Sequence, residues 1–191
     1  SHLGGILIKQ AYEIPLVVTV HSLEPLRPWK REQLKGGYDV SSWVERTALE
    51  MADAVIAVSQ GTRADVQNLF DVEPGRVHVI HNGIDADFWQ RDPATDVLAR
   101  YGIDPGTPYV LFVGRITRQK GIVHLVRAIQ DFDAGFGVVL CAGQPDTPQI
   151  AIEMEEGVAA ARAHRPNVTW IPEMLSRTDV RQLYAHAALF A

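Results

Sequence analysis

The chain has 191 residues, is 47% hydrophobic and 21% charged, and carries a formal net charge of −5 at pH 7. That is ordinary soluble globular composition, enough for one large or two small domains, and its acidic balance argues against a nucleic-acid partner. The single cysteine, Cys141, excludes a disulfide framework; no apolar run approaches the ~20 residues that span a bilayer, and no secretory leader is visible, so the expected compartment is cytoplasmic.

Residues 3–15 read as a helix with Leu3, Ile6, Leu7 and Ala11 on one side, stopped before Pro15. Leu16–Val20 reads as a short strand ending at His21-Ser22. The segment 23–39 reads as one long loop carrying Arg27, Trp29, Lys30 and Tyr38, long enough to suspect a binding loop or lid. Ser42 with Glu45 fits a capping box, followed by the helical stripe Val44, Ala48, Met51, Ala52. Ala54–Val58 is unbroken apolar, as a central parallel strand requires. Ser59 is placed to cap the next helix, and Arg76–Ile80 makes a further strand, closed by His81-Asn82-Gly83.

From 85 to 107 the pattern changes, punctuated by Asp92-Pro93, Asp104-Pro105-Gly106 and Pro108 around one short helix at 97–101. Such composition between two strand-rich regions reads as a linker. The β/α alternation then restarts: strand 109–113, helix 120–131, strand 136–142, helix 149–164, strand 167–171, helix 177–188 opened by Ser176, and an incipient strand at 189–191. The expectation is an α/β chain containing parts of two Rossmann-like parallel-sheet lobes. Residues 1–92 supply the first, 93–107 the linker and 108–191 the second. Both sheets fall short of the usual five or six strands, so the expected status of the sequence is an internal piece of a longer protein.

The stretch Val110–Gly121 carries the densest chemistry. Gly114 closes a strand, Arg115 follows on the turn, and Lys120 stands near the next helix start. Two cations and helix N–H groups at the carboxyl end of a parallel strand suit a phosphate or diphosphate; from the local pattern alone, two ordinary surface charges fit equally well. Gly143 and Glu173 follow the next two strands and belong on the same sheet edge, placed to line one pocket with Arg115. His21 is either a strand-end cap or an imidazole facing a cleft. Asn82-Gly83 is either a tight turn or an amide presented to a ligand. Cys141 lies within an apolar strand and reads as a buried residue, not a nucleophile.

Taken together, Thr19-Val-His-Ser22, Ala54-Val-Ile-Ala-Val-Ser59, His81-Asn-Gly-Ile-Asp85 and Val113-Gly-Arg115-x4-Lys120-Gly121 occur in the order seen in retaining glycosyltransferases of GT-B fold. With His21-Ser-Leu-Glu-Pro-Leu-Arg-Pro-Trp-Lys30 and Gly36-Gly-Tyr38, the chain resembles the glycogen synthase-like branch of glycosyltransferase family 4. The resemblance implies a nucleotide-diphospho-glucose donor, ADP- or UDP-glucose, held between the lobes. It implies Gly114, Arg115 and Lys120 at the diphosphate, with His21, Arg115 and Lys120 acting in catalysis. Asn82 would stand near the donor sugar, and Gly143 and Glu173 near the nucleoside. Arg27, Trp29, Lys30 and Tyr38 become candidates for holding the acceptor. No metal and no cofactor is called for, since two cations can neutralise the leaving diphosphate.

The leading expected reaction is glucosyl transfer to an α-1,4-glucan. The alternative is α-maltose-1-phosphate synthase-type transfer to glucose 1-phosphate, a sugar-phosphate acceptor. Other classes are a nucleotide-sugar 2-epimerase and a non-catalytic nucleotide-binding fragment. The family's N-terminal glycine-rich loop and C-terminal paired glutamates are absent from these residues, so the 191-residue piece alone is expected to be inactive.

Overall fold

The computed structural model describes residues 2–191, apart from the side chains of Glu32 and Gln33. The chain divides into two compact units, with the division after Ile84. Each is built on a parallel sheet.

The first unit holds the strands β1 (Val17–Val20), β2 (Ala54–Ala57) and β3 (Val77–Val79), in the order β1-β2-β3. The unbroken apolar run takes the middle position, where Val55 and Ala57 are fully buried. Around the sheet lie α1 (His2–Tyr12), α2 (Lys30–Leu34), α3 (Gly37–Met51) and α4 (Gln60–Leu69). Ile6, Ala48, Leu49, Val66 and Phe70 close one core with Val18, Val20 and Val55. Ser59 caps α4, its Oγ accepting from the Thr62 N–H at 3.0 Å. An ion pair between Lys9 and Asp53 ties α1 to the turn before β2.

Segment 23–39 is not one long loop. It folds into a 3-10 turn at Glu24–Leu26, the helix α2, and the start of α3 at Gly37. α3 therefore begins five residues before Ser42, so Ser42 and Glu45 form no capping box. Glu45 instead accepts the Glu24 N–H at 2.7 Å from across the fold. The bend that lets α2 meet α3 sits at Lys35, whose φ is +48°.

The second unit holds α5 (Asp96–Arg100), β4 (Tyr109–Arg115), α6 (Ile122–Ala128), β5 (Gly137–Gly143), α7 (Pro148–His164), β6 (Val168–Ile171), α8 (Arg177–His186) and β7 (Leu189–Phe190). Its strand order is β6-β5-β4-β7, all parallel. Alternate strand residues feed two cores. Phe112, Val138 and Leu140 pack with α6 and α7, whereas Leu111, Val139 and Cys141 pack with α5 and α8. Thr147 and Ser176 cap α7 and α8 through the N–H groups of Ile150 and Asp179.

Residues 85–107, read as a linker, belong to this second unit. Val97 and Leu98 are fully buried against Leu183, and the Gln182 side-chain carbonyl accepts the Val97 N–H at 3.1 Å. Arg181 pairs with Asp92 at 2.6 Å. The predicted helix 120–131 is also broken up, into a 3-10 turn at Arg118–Lys120, a left-handed Gly121 (φ +66°), α6, and a second 3-10 turn. Among the described residues, no helix is long and apolar enough to cross a membrane.

Candidate functional site

The carboxyl edge of the second sheet carries a cavity of about 260 Å³. Arg115 and Gly143 end β4 and β5 and are register partners, so both reach this edge at the same level. β6 stops at Ile171, and Pro172, Glu173 and Met174 continue over the opening. The floor is apolar, from Val113, Cys141, Leu175 and Val180. Gly114, read as the strand end, lies inside β4; a Cβ there would stand 3.3 Å from the Phe112 ring. Thus Gly114, Arg115, Gly143 and Glu173, placed on one edge by the sequence, do line one cavity.

Glu173 is held from one side. Its Oε1 accepts from the Tyr101 hydroxyl at 2.6 Å, which lowers the Glu173 pKa and raises that of Tyr101. Arg100, beside Tyr101 in sequence, makes a forked contact to Asp179 at 3.2 and 3.3 Å. Burial pushes the Cys141 thiol up to about 11. Cys141 is therefore expected to resist a thiol-titrating disulfide reagent at pH 8 in the folded chain and to react once denatured; rapid labelling of the native chain would contradict its burial.

Arg115 and Lys120 part company here. Arg115 is exposed at the cavity, with only a 3.4 Å contact from Nη1 to the Asp146 carboxylate. Such an exposed pair holds a side chain weakly. Lys120 is also exposed but does not line the cavity. Its N–H is occupied by the Thr117 hydroxyl at 3.2 Å, and the Gly121 N–H by the Arg118 carbonyl at 3.1 Å. Lys120 therefore sits in a closed 3-10 turn, and the helix itself starts two residues later, at Ile122.

In the first unit, His21 is exposed just beyond β1 and lines a basin of about 320 Å³ together with Thr19, Ser22, Glu24, Arg27 and Glu45. Glu24 is the hub. Its buried Oε1 accepts from Arg27 at 3.0 Å, Lys30 at 3.1 Å and Ser41 at 3.2 Å. Desolvation raises the Glu45 pKa, and its neighbour Glu24 adds to that rise against the Glu24 N–H that holds the carboxylate. Tyr38 is buried, with its hydroxyl donating to the Glu24 carbonyl at 2.9 Å, so its ring is a packing element and not an open platform for a sugar. Trp29 remains partly open. Asn82 is exposed beyond β3, and Gly83 has no positive φ, so the tight left-handed turn considered for this pair is not formed.

Residues 1–88 match the family model for Glycosyltransferase Family 4. The whole chain is similar to alpha-maltose-1-phosphate synthases. It is 53% identical to that of Mycolicibacterium smegmatis, over 98% of this chain and 50% of the relative. It is 50% identical to that of Mycobacterium tuberculosis, over 100% of this chain and 49% of the relative. The chain spans about half the length of the curated relatives it matches. Among solved structures, a sucrose-phosphate synthase from Thermosynechococcus elongatus superposes with a TM-score of 0.77 at 23% identity, covering 99% of this chain and 47% of that one. Anabaena HepE in complex with UDP-glucose superposes at 0.75 and 18% identity, covering 99% and 49%. These neighbours share the fold, two Rossmann-like parallel-sheet pieces of GT-B glycosyltransferases.

Three site features escaped the sequence reading. Tyr101 fell within the stretch read as linker, Glu24 within the segment read as one long loop, and Glu45 read as part of a capping box. Only the sequence spacing Glu24–Arg27, suited to a local ion pair, hinted at the hub.

Proposed function

We propose that the protein containing this chain is a retaining hexosyltransferase that moves glucose from a nucleotide-diphospho-glucose to glucose 1-phosphate, forming maltose 1-phosphate. The observation that carries this reading is the 53% identity, across 98% of the chain, to an alpha-maltose-1-phosphate synthase. The glycogen-synthase-like reading favoured by the sequence motifs becomes the second arm of the test, since the relatives' names point to the sugar-phosphate acceptor.

In this reading the bond from glucose C1 to the diphosphate oxygen breaks, and C1 bonds to an acceptor hydroxyl oxygen, which loses its proton. The nucleoside diphosphate leaves. Arg115 and Lys120 neutralise the charge that accumulates on it, Glu173 and the backbone at Gly143 receive the nucleoside, and Asn82 and His21 contact the transferring sugar. The apolar floor under Arg115 and the carboxylate fixed by Tyr101 support a nucleoside there, since a flat base suits an apolar slot with few polar groups at its rim. Either base, in ADP- or UDP-glucose, fits this description.

The test is nucleoside diphosphate release from ADP- and UDP-glucose by the whole protein, with glucose 1-phosphate or glycogen as acceptor, and mass analysis of the product. A disaccharide phosphate is the expected outcome. Release that depends on glycogen alone would restore the glucan reading, and no release with either would remove both.

A further inference from the structure

The basin beside His21 carries the wrong charge balance for a phosphate. Arg27 and Lys30, which the sequence offers as candidates for holding the acceptor, both converge on Glu24 Oε1. Glu45 adds a second carboxylate on the same wall. In the basin's lining Glu24 and Glu45 stand with Arg27, His2 and His21, and Lys30 pairs with Glu24 from outside it, so both long cations are already paired with a carboxylate before an anion arrives.

Hydroxyl groups meet a better match. Each sugar O–H both donates and accepts, and the basin presents acceptors and donors side by side from Thr19, His21, Ser22, Glu24, Arg27 and Glu45. Its volume of about 320 Å³ is that of a small-molecule site. One oxygen there lacks a partner. The Glu24 side chain is 93% buried (7% exposed), and Oε1 has three donors, yet Oε2 is buried with none. A buried carboxylate oxygen without a donor is costly, and a hydroxyl entering the basin relieves it with a charge-assisted bond.

We infer that this basin binds the pyranose ring of the acceptor through its hydroxyls, with Glu24 as a hydrogen-bond acceptor, and that the acceptor's phosphate lies elsewhere. The inference rests on the transferase reading for the word acceptor. The sign of one substitution separates it from the phosphate alternative. Glu24→Gln releases Arg27 and Lys30 from their carboxylate. If those cations bound phosphate, acceptor affinity would rise. If the carboxylate binds hydroxyls, it falls.

Initial rates of the whole protein are measured with glucose 1-phosphate varied and donor saturating. Glu24→Gln is expected to raise acceptor KM about tenfold, the size of one hydrogen bond to a charged group, with donor KM unchanged. Inhibition by inorganic phosphate is expected to be unchanged. Thr19→Val, at an exposed strand position where valine is well tolerated, removes one basin hydroxyl and is expected to raise acceptor KM a few-fold; it decides the matter if Glu24→Gln does not fold. An unchanged acceptor KM in the folded variants, or tighter binding of glucose 1-phosphate or phosphate by Glu24→Gln, overturns the inference. If the protein uses only a glucan, the same variants are assayed with a malto-oligosaccharide. A raised KM then upholds the basin although the sugar-phosphate reading has failed, and an unchanged one removes the basin too.

Discussion

Gly143→Ala is expected to destabilise the second unit by about 3 kcal/mol, lowering its melting temperature by about 15 °C. Gly143 is the last residue of β5, and a Cβ there would fall 2.1 Å from the Pro172 carbonyl oxygen and 3.2 Å from its carbon. Both atoms are backbone, so no side-chain rotation relieves the clash. The strand cannot simply slide away. The Gly143 carbonyl accepts the Ile116 N–H at 3.0 Å, and the neighbouring Ala142 carbonyl accepts from the Trp170 indole at 2.7 Å. The same approach brings Pro172 and Glu173 over the cavity, so the methyl group would also displace the Glu173 carboxylate. Urea or thermal unfolding of the 191-residue chain measures the effect. Gly36→Ala is the control, because its φ is −60° and a Cβ there meets nothing within 4 Å; it is expected to be neutral or slightly stabilising. Equal melting of Gly143→Ala and the parent would mean that β5 and Pro172 are not packed as described.

Why this glycine is obligatory shows where sequence reading stops. The strands were legible because four or five consecutive apolar residues between turn signals have few other fates, and the Ser59 and Ser176 caps were legible because capping is local. The constraint on Gly143 exists only once β6 lies beside β5. Segment 85–107 misled for a related reason: its prolines and aspartates are turn chemistry, and they hid Val97, Leu98 and Ile103, whose burial depends on α8 eighty residues later. Gly37 lies in the segment read as one long loop, yet α3 starts there because Tyr38 gains burial and a hydrogen bond to the Glu24 carbonyl. Tertiary burial outweighs the roughly 1 kcal/mol that glycine costs in a helix. At the site, the sheet edge shared by Arg115, Gly143 and Glu173 was legible because parallel strands deliver their carboxyl ends to one side. The Glu24 hub was not, since Ser41 and Glu45 reach it through the fold, 17 and 21 residues away.

Arg115→Ala in the whole protein is expected to lower kcat by about 10²–10³, with a smaller rise in donor KM. The leaving diphosphate gains negative charge as the C1–O bond stretches, so a cation beside it binds the transition state more tightly than the ground state, and its loss appears in kcat. Arg115 suits this role because it stands at the cavity with only a weak exposed contact to Asp146, which a diphosphate can replace. Lys120→Ala tests the second cation. Lys120 does not line the cavity; in the proposed reading its flexible four-carbon stem swings in when donor binds. Arg115→Lys keeps the charge but not the planar fork, and is expected to recover only part of the loss. Arg118→Ala is the comparison that decides. Arg118 is an exposed cation three residues away, paired with Glu153 at 2.7 Å and outside the cavity. If nonspecific positive charge were all that mattered, Arg118→Ala would cost as much as Arg115→Ala. If geometry matters, Arg118→Ala leaves kcat within about twofold of the parent, because rim charges away from the reacting atoms change little beyond encounter. Equal losses in the two variants would sink the assignment of Arg115 to the leaving group.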